Sequence, residues 1–390
     1  MNTAFSKVKR IATILAGFSI VLIPAVGQAD WSIVALERLD KGDNTGGNIA
    51  YAVNDLGQVV GNSGFFDNGF ITGPNGVGMT ELGTFWGETT AHDINNSGQV
   101  VGSSYTGSQL RAYITGPDGV GMTDLGSLSL GSYVNGATTV NDSAQVAGYS
   151  YLGTPGTHAF FVGPNYTNMT DLDKPFDGDS YATSINDAGQ VVGNYYSSNG
   201  THAFMTGPNG VGITELGTLG GKTNYASSIN DSGQIVGSSA TGNGSRAFMT
   251  GPNGVGMTDL GTLGGGGSSD ATSINDSAEV IGLASTADGD YHAFLYSHGG
   301  MTDLSILDVV AATGWTDIRV TDINNNGQIV GYGTDGYYTQ AFLLSYTPDT
   351  VFNPQPIFVP QIPEPETYLM LLAGLGLIGF VARRRKAAAV

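Results

Sequence analysis

Two turns of the chain carry the oxygen-bearing side chains that a calcium ion prefers. They are Asp93-Ile94-Asn95-Asn96-Ser97-Gly98 and Asp322-Ile323-Asn324-Asn325-Asn326-Gly327, which follow the D-x-N-x-N/S-G opening of a calcium loop. The candidate ligands for Ca²⁺ are Asp93, Asn95, Asp322, Asn324 and Asn326. Neither segment has the acidic residue that such loops use at the twelfth position. Hairpin-turn chemistry without a metal is therefore the favoured interpretation, and no other cofactor is predicted.

Three histidines recur at corresponding places, yet their pattern does not indicate catalysis. His158, His202 and His292 each begin a His-Ala-Phe motif, and Arg or Gln stands in the same place at Arg111, Arg246 and Gln340. Such exchange fits a surface contact better than metal ligation. The chain has no cysteine and no G-x-S-x-G elbow, so thiol and serine-hydrolase chemistry are not expected. We predict no catalytic residue.

Aromatic rings beside small residues are candidates for binding sugars. Trp86, Tyr181, Tyr225 and Trp315 are flanked by Gly, Ser, Asn or Thr, and such rings can stack on a sugar while their neighbours hydrogen-bond its hydroxyls. For any single ring, packing inside the fold is the competing interpretation.

These residues belong to a unit that occurs seven times. Asn-Asp-Leu-Gly-Gln-Val-Val-Gly begins at Asn54, and versions of it begin at Asn95, Asn141, Asn186, Asn230, Asn275 and Asn324. The spacings of 41 to 49 residues lie in the range of propeller blades. Each unit has four short strand patterns separated by Gly-rich turns, and helical periodicity is missing between the two ends of the chain. Ala144 and Ala278 replace the turn glycine, where a positive φ costs about 1 kcal/mol, so we expect these two turns to differ.

The repeats predict an all-β, seven-bladed β-propeller of four-stranded blades over residues 30–346. The seventh unit lacks its own fourth strand, whereas an extra strand pattern at residues 31–39 precedes the first unit. We expect this N-terminal strand to complete the last blade and close the ring. An open β-solenoid is the alternative fold.

The composition narrows the classes of function further. The chain has 390 residues, 61 of them glycine, and a formal net charge of −19. So acidic a protein is not expected to bind nucleic acid, which requires a basic surface. The glycines are interleaved with Val, Ile and Phe, which favours folded structure over disorder.

Both ends of the chain have the pattern of processing segments. At residues 1–29, basic residues precede an apolar run and small residues, which predicts a signal helix cleaved by signal peptidase between Ala29 and Asp30; an uncleaved membrane anchor is the alternative. Residues 347–362 form a Pro-rich spacer. Residues 363–390 contain Pro363-Glu364-Pro365, an apolar stretch that predicts a C-terminal hydrophobic helix, and the cationic cluster Arg383-Arg384-Arg385. The apolar stretch is short for a membrane span, which suits transient anchoring.

Two resemblances follow from these motifs. The tail at residues 363–390 resembles the PEP-CTERM sorting signal of Gram-negative bacteria, which implies recognition by an exosortase and release or attachment at the cell surface. An ordinary C-terminal anchor is the alternative. The repeats resemble the HAF-repeat family of bacterial extracellular proteins, through the Ile-Asn-Asp-x-Gly-Gln-Val-Val-Gly turns and the His-Ala-Phe copies. The resemblance implies an extracellular location and a repeat architecture. It implies no activity, because none is established for that family.

We therefore predict a protein that is exported, anchored transiently at the inner membrane, and then active at the cell surface or in the extracellular matrix. Its expected role is non-enzymatic, multivalent contact with exopolysaccharide or envelope proteins, in which several weak sites gain avidity together. Two alternatives remain: a loop-based polysaccharide hydrolase on a propeller scaffold, and a purely structural surface protein without a specific ligand.

Overall fold

A computed structural model describes residues 30–39, 47–64, 68–129, 133–153, 156–172, 178–334 and 336–347. Within these stretches the chain forms 28 strands, four short 3-10 turns and one short helix. The first strands are β1 (Asp30–Ala35), β2 (Asn48–Val53), β3 (Val59–Ser63), β4 (Asn68–Thr72), β5 (Met79–Glu81), β6 (Thr89–Ile94), β7 (Val100–Tyr105), β8 (Leu110–Ile114), β9 (Thr123–Asp124), β10 (Asn135–Val140), β11 (Val146–Tyr151), β12 (Thr157–Val162) and β13 (Thr170–Asp171).

The remaining strands are β14 (Ser180–Ile185), β15 (Val191–Ser197), β16 (Gly200–Thr206), β17 (Ile213–Glu215), β18 (Asn224–Ile229), β19 (Ile235–Thr241), β20 (Gly244–Met249), β21 (Thr258–Gly261), β22 (Gly264–Ile274), β23 (Val280–Thr286), β24 (Tyr291–Ser297), β25 (Gly300–Asp303), β26 (Asp317–Ile323), β27 (Ile329–Thr334) and β28 (Thr339–Thr347). The helix is α1 (Asp308–Ala311), and the 3-10 turns are Pro74–Gly76, Pro117–Gly119, Pro208–Gly210 and Pro252–Gly254.

The number of separate blades differs from the prediction. Among the described residues, five sheets have four strands each, and a sixth sheet has eight strands, β2 to β9. In this larger sheet a parallel bridge between Asn68 and Thr89 joins β4 to β6, so the first two repeats share one sheet. The prediction of seven separate blades is therefore wrong. The all-β propeller has five separate four-stranded blades together with this eight-stranded sheet.

The predicted signal helix and C-terminal hydrophobic helix lie outside the described residues. Inside the described stretches, no helix has the length and apolar character needed to cross a membrane.

The N-terminal strand closes the ring. Strand β1 pairs with β28 in antiparallel register, from Asp30 opposite Thr347 to Ala35 opposite Phe342, and forms the outer edge of the sheet β1-β28-β27-β26. The last and first repeats also bond directly, because the Asn324 side chain donates to the Asn54 carbonyl at 2.8 Å.

The turn after the first strand of each repeat is shaped by its asparagine. In repeat one, Asn54 Oδ1 accepts hydrogen bonds from the backbone N–H groups of Leu56 (3.1 Å) and Gln58 (3.0 Å), and Gly57 takes a φ of 72°. Ala144 and Ala278 adopt φ values of 57° and 59° at the same position. The expectation that these two turns differ is therefore wrong, because the shared hydrogen bonds impose the left-handed conformation even on alanine.

The core lies between neighbouring sheets. One aromatic ring from the third strand of every repeat is fully buried, namely Phe70, Tyr113, Phe160, Phe204, Phe248, Phe294 and Phe342. In one such cluster, Ala203 and Met205 of β16 pack with Ile229 of β18 and Phe248 of β20. The repeated apolar residues therefore join adjacent repeats, and burying a Phe at such a site contributes about 3–5 kcal/mol relative to Ala.

Candidate functional site

The first strands of all seven repeats end around one cavity, so they surround a common axis, here called the channel. At the end where each first strand finishes, called the turn end, residues of all seven repeats line a small cavity of about 180 Å³. At the other end, called the mouth, residues of neighbouring repeats line a cavity of about 510 Å³. The turn end is nearly uniform in sequence, whereas the mouth is not.

The repeated asparagines form a closed ring at the turn end. Each donates from Nδ2 to the backbone carbonyl of the corresponding asparagine in the next repeat, at distances from 2.8 to 3.1 Å. Two of these residues, Asn95 and Asn324, are candidate calcium ligands, and their Oδ1 atoms each accept two backbone N–H groups. These oxygens are therefore engaged in shaping the turn.

The next residue of each repeat forms a second ring, here called the outer turn ring: Asp55, Asn96, Asp142, Asp187, Asp231, Asp276 and Asn325. Every backbone N–H in this ring donates to Oδ1 of the following member at 2.8 or 2.9 Å. Partial burial, with the charges of neighbouring aspartates, raises the pKa of Asp187 and of Asp231. The ring therefore joins neighbouring repeats by hydrogen bonds, but it also brings aspartate carboxylates close together, which disfavours their ionised forms. The remaining candidate ligand, Asn326, donates from Nδ2 to the Asp55 carbonyl at 2.7 Å.

Asp93 and Asp322 each lie two residues before a ring asparagine and are buried between neighbouring repeats. Asp93 accepts the Val140 N–H at 2.9 Å, and Asp322 accepts the Val53 N–H at 2.9 Å. Asp322 also accepts the Ser273 hydroxyl at 2.7 Å. Burial raises the pKa of Asp93 to about 6 and that of Asp322 to about 7, although the donated hydrogen bonds oppose the shift. Both carboxyl groups connect adjacent repeats.

Metal binding has no obvious cluster of ligands to support it. In the part of the chain that the structure describes, no group of three or more His, Asp or Glu side chains could hold a metal ion. The sequence-predicted calcium ligands are distributed among turn, ring and channel contacts. The interpretation that these turns form without a metal, with calcium binding as the alternative, therefore stays a prediction.

The repeated histidines contact carboxylates on the outer part of each sheet. His158 Nδ1 lies 3.2 Å from Asp171, His202 Nδ1 lies 3.0 Å from Glu215, and His292 Nδ1 lies 2.7 Å from Asp303. Where arginine replaces histidine, Arg111 Nε lies 3.1 Å from Asp124. His or Arg can make this contact between the third and fourth strands, which explains the exchange seen in the sequence.

The mouth varies from repeat to repeat. The position five residues before each asparagine is occupied, in order, by Ile49, Thr90, Gly136, Tyr181, Tyr225, Asp270 and Arg319. Alanine or valine follows at the next position in every repeat and is buried. The buried position is therefore nearly the same in every repeat, whereas the position before it differs. Side chains that differ between repeats can give a ligand a specific place to bind, so this end of the channel is the candidate site.

The cavity at the mouth combines an aromatic ring, a carboxylate and small polar groups. It is lined by Tyr225, Asp270, Thr183, Asn194, Ser227 and Ser238, with the backbone of Ala226. Tyr225 is 42% exposed, and the Thr201 hydroxyl donates to its Oη at 3.1 Å. Asp270 is exposed to the cavity and hydrogen-bonded by Ser238, and partial burial raises its pKa.

Three further tyrosines, in repeats three and four, contact one another, and Tyr196 lies within electrostatic range of Tyr225. The ring centroids of Tyr149 and Tyr181 lie 5.6 Å apart, and those of Tyr181 and Tyr196 lie 6.0 Å apart in an edge-on arrangement. Tyr196 is 46% exposed. Burial raises the pKa of Tyr149 and of Tyr196. Each of the three rings has both a flat face and a hydroxyl that a ligand could contact.

The structure separates the four predicted sugar-binding aromatics. Tyr181 on β14 and Tyr225 on β18 hold corresponding positions in successive repeats, and Tyr225 lines the cavity at the mouth. Trp86 is 85% exposed on the loop between β5 and β6. Trp315 instead packs on Phe342, with centroids 5.6 Å apart. The sorting residues Pro363, Glu364, Pro365, Arg383, Arg384 and Arg385 and the cleavage residue Ala29 lie outside the described residues, and Asp30 begins β1.

Sequence reasoning missed Asp270, Asn194 and Ser238. Asp270 could have been found by aligning the repeats and asking which positions differ. Asn194 and Ser238 carry no such signal, because their importance depends on which strand pairs with which: Asn194 lies opposite Tyr181, and Ser238 lies opposite Tyr225.

Comparison with known sequences identifies only the C-terminal segment. Residues 361–386 match the PEP-CTERM protein-sorting motif, which implies processing by an exosortase and export to the cell envelope or surface. No curated protein matches the chain, and the HAF-repeat resemblance stays a prediction.

Solved structures share the fold at low sequence identity. Virginiamycin B lyase from Staphylococcus aureus aligns with a TM-score of 0.54 and 11% identity over 82% of this chain and 99% of its own. An oligogalacturonate lyase in complex with manganese gives 0.53 and 10% over 83% and 99%. The β-propeller domain of the Trilobed protease from Pyrococcus furiosus gives 0.51 and 9% over 81% and 99%. At these identities the likeness shows the fold alone.

Proposed function

We propose that the protein is a non-enzymatic, exported binding protein that holds an extracellular polysaccharide at its mouth. The observation that carries this proposal is a group of partly exposed tyrosines, of which Tyr225 lines a polar cavity. Tyr181 contacts two other rings, and Tyr225 is hydrogen-bonded by Thr201. Rings held in place by neighbours lose little freedom when a ligand stacks on them, so more of the contact energy contributes to affinity.

The mouth favours one asymmetric site over several equivalent sites. Tyr181 and Tyr225 stand in repeats four and five, whereas repeats one to three have Ile49, Thr90 and Gly136 at the corresponding position. We therefore propose that a polymer contacts one side of the mouth, and that the seven repeats supply a rigid scaffold. This interpretation replaces the avidity among equivalent sites that the repeats suggest.

The chain leaves the domain at the turn end. Asp30 and Thr347 are paired, and the Tyr346 ring lies against Gly327 in the last turn. Thr347, the last described residue, therefore lies at the turn end. We propose that signal peptidase and exosortase process a chain anchored transiently at the inner membrane of a Gram-negative cell, after which the mouth is available to exopolysaccharide.

The test is binding of the full chain to exopolysaccharide from the producing cells, measured together with the length of the polymer. We expect saturable binding without shortening, and we expect Tyr225→Ala to weaken it at least tenfold. Tyr291→Ala is the matched control, because Tyr291 is 49% exposed on β24 and does not line the cavity. Shortened polymer would establish the hydrolase alternative instead. No binding would contradict the proposal and leave a surface protein with an envelope partner or a purely structural role.

A further inference from the structure

The cavity at the mouth contains one carboxyl group that its packing does not require. Asp270 is the charged residue among those that line the cavity. Corresponding positions hold Tyr181, Tyr225 and Gly136, so the fold accepts uncharged side chains there. In the next repeat Arg319 stands at this position, but its Nε lies 3.2 Å from Asp317. The carboxylate of Asp270 is thus not paired with that arginine and is accessible to a ligand.

The surroundings of Asp270 favour a cationic group over an anionic one. The whole chain has a formal net charge of −19, so an acidic sugar would be repelled as it approaches. A protonated amine would gain a charge-assisted hydrogen bond from Asp270. The electron-rich face of Tyr225, in the same cavity wall, would attract the same cation.

The rest of the cavity suits sugar hydroxyls. Ser227 has a hydroxyl with no hydrogen-bond partner among the described residues, and Asn194 is held by bonds to the Ala226 backbone at 2.8 and 3.0 Å. The volume of about 510 Å³ lies within the range of about 300–1,000 Å³ usual for small-ligand sites. The cavity is therefore large enough for part of a sugar chain and polar enough to orient it.

We propose that the mouth recognises a sugar unit with a free amino group, whose ammonium is bound by Asp270 while its ring stacks on Tyr225. This inference rests on the proposed polysaccharide binding and adds the chemical class of the bound sugar. The discriminating feature is the positive charge of the amine, since acetylation of the nitrogen removes the charge and leaves the sugar ring in place.

The experiment compares three oligosaccharides of equal length: β-1,4-linked glucosamine, its fully N-acetylated counterpart, and β-1,4-linked glucose. Affinity for the full chain is measured by isothermal titration calorimetry at 0.15 M salt, which screens long-range attraction to an acidic protein. We expect the glucosamine oligomer to bind at least tenfold more tightly than either of the others. Asp270→Asn should reduce this preference to less than threefold.

Two further variants control for charge and folding. Asp288→Asn removes an equal charge from the exposed hairpin between β23 and β24 of the same repeat, and the preference should survive. Asp270→Thr introduces the residue type that repeat two has at Thr90, so this variant should fold, with an unchanged melting temperature, and lose the preference.

The two proposals fail in different ways. Equal binding of the three oligomers, or a preference that Asp270→Asn leaves intact, would overturn the amino-sugar inference while Tyr225→Ala still weakens exopolysaccharide binding. If neither the oligomers nor the exopolysaccharide bind, the proposed function itself is wrong, and the inference falls with it.

Discussion

Replacing Asp322 with serine should stabilise the folded protein, and the gain should increase with pH. Asp322 lies two residues before Asn324, at the position where repeats four to six have serine. The Val53 N–H and the Ser273 hydroxyl donate to its carboxylate. These bonds do not compensate for burial and the charge of Asp93, which together raise the pKa of Asp322 to about 7. Serine can replace the link, because Ser184 accepts the Ile229 N–H in the same way.

The magnitude follows from the difference in proton binding between the folded and unfolded chain. The pKa of Asp322 changes from 3.8 to about 7 on folding. The folded state therefore binds more protons between these two values, and stability falls as pH rises through that window. The penalty amounts to about 2 kcal/mol at pH 5 and about 4 kcal/mol at pH 8. Relative to the wild type, the gain from Asp322→Ser should thus be about 2–3 kcal/mol larger at pH 8 than at pH 5.

Urea unfolding of the wild type and the variant at pH 5 and pH 8 measures this difference directly. Asp93→Thr provides an internal comparison, since repeat three has Thr139 at this position. The pKa of Asp93 is raised only to about 6, so its gain should grow by about 1 kcal/mol over the same range. Asp288→Ser changes an exposed hairpin. The difference in unfolding free energy between this variant and the wild type should therefore be the same at pH 5 and pH 8.

A gain from Asp322→Ser that is the same at pH 5 and pH 8 would contradict a raised pKa of Asp322 in the folded state. A loss of stability that deepens as pH rises would be a stronger contradiction. In that case the Asp322 carboxylate would be stabilising as an anion, and its pKa in the folded state would lie below 3.8.

Two other predictions concern the turns. Ala144→Gly should raise the free energy of unfolding by up to about 1 kcal/mol in urea titrations, because Ala144 has a φ of 57° that glycine adopts without strain. The reverse change at the same position of another repeat, Gly233→Ala, should lower the free energy of unfolding. An unchanged stability in both variants would contradict this explanation. Asn186→Ala should cost about 3 kcal/mol, because it leaves the Gln190 N–H without its acceptor and removes one of the two hydrogen bonds to the Asn230 carbonyl, which keeps the bond from the Gly233 N–H. The control Asn199→Ala, in an exposed hairpin, should stay within about 0.5 kcal/mol of the wild type; equal effects of the two changes would mean that the asparagine ring contributes little.

The sequence alone determined the local structure of this protein. Alternating apolar residues, Asn-Asp-x-Gly turns and the buried third-strand aromatics recur in all seven units, so the strands and their order could be predicted. The unmatched strand at the N-terminus likewise predicted the pairing of β1 with β28, since an edge without a partner requires one. The sorting motif was readable because its three parts are contiguous in the chain.

Only the tertiary structure decided what lies between the repeats. The bridge from Asn68 to Thr89 merges two units into one sheet, and nothing local to either residue indicates it. The pKa values of Asp93 and Asp322 depend on backbone groups from other repeats. The cavity at the mouth likewise combines Thr183, Tyr225 and Asp270 from three successive repeats. Local sequence determines backbone conformation. The burial of a side chain and its distance from other side chains depend on how segments far apart in the chain pack together. The candidate site could not be predicted from the sequence because it is formed by side chains from separate repeats.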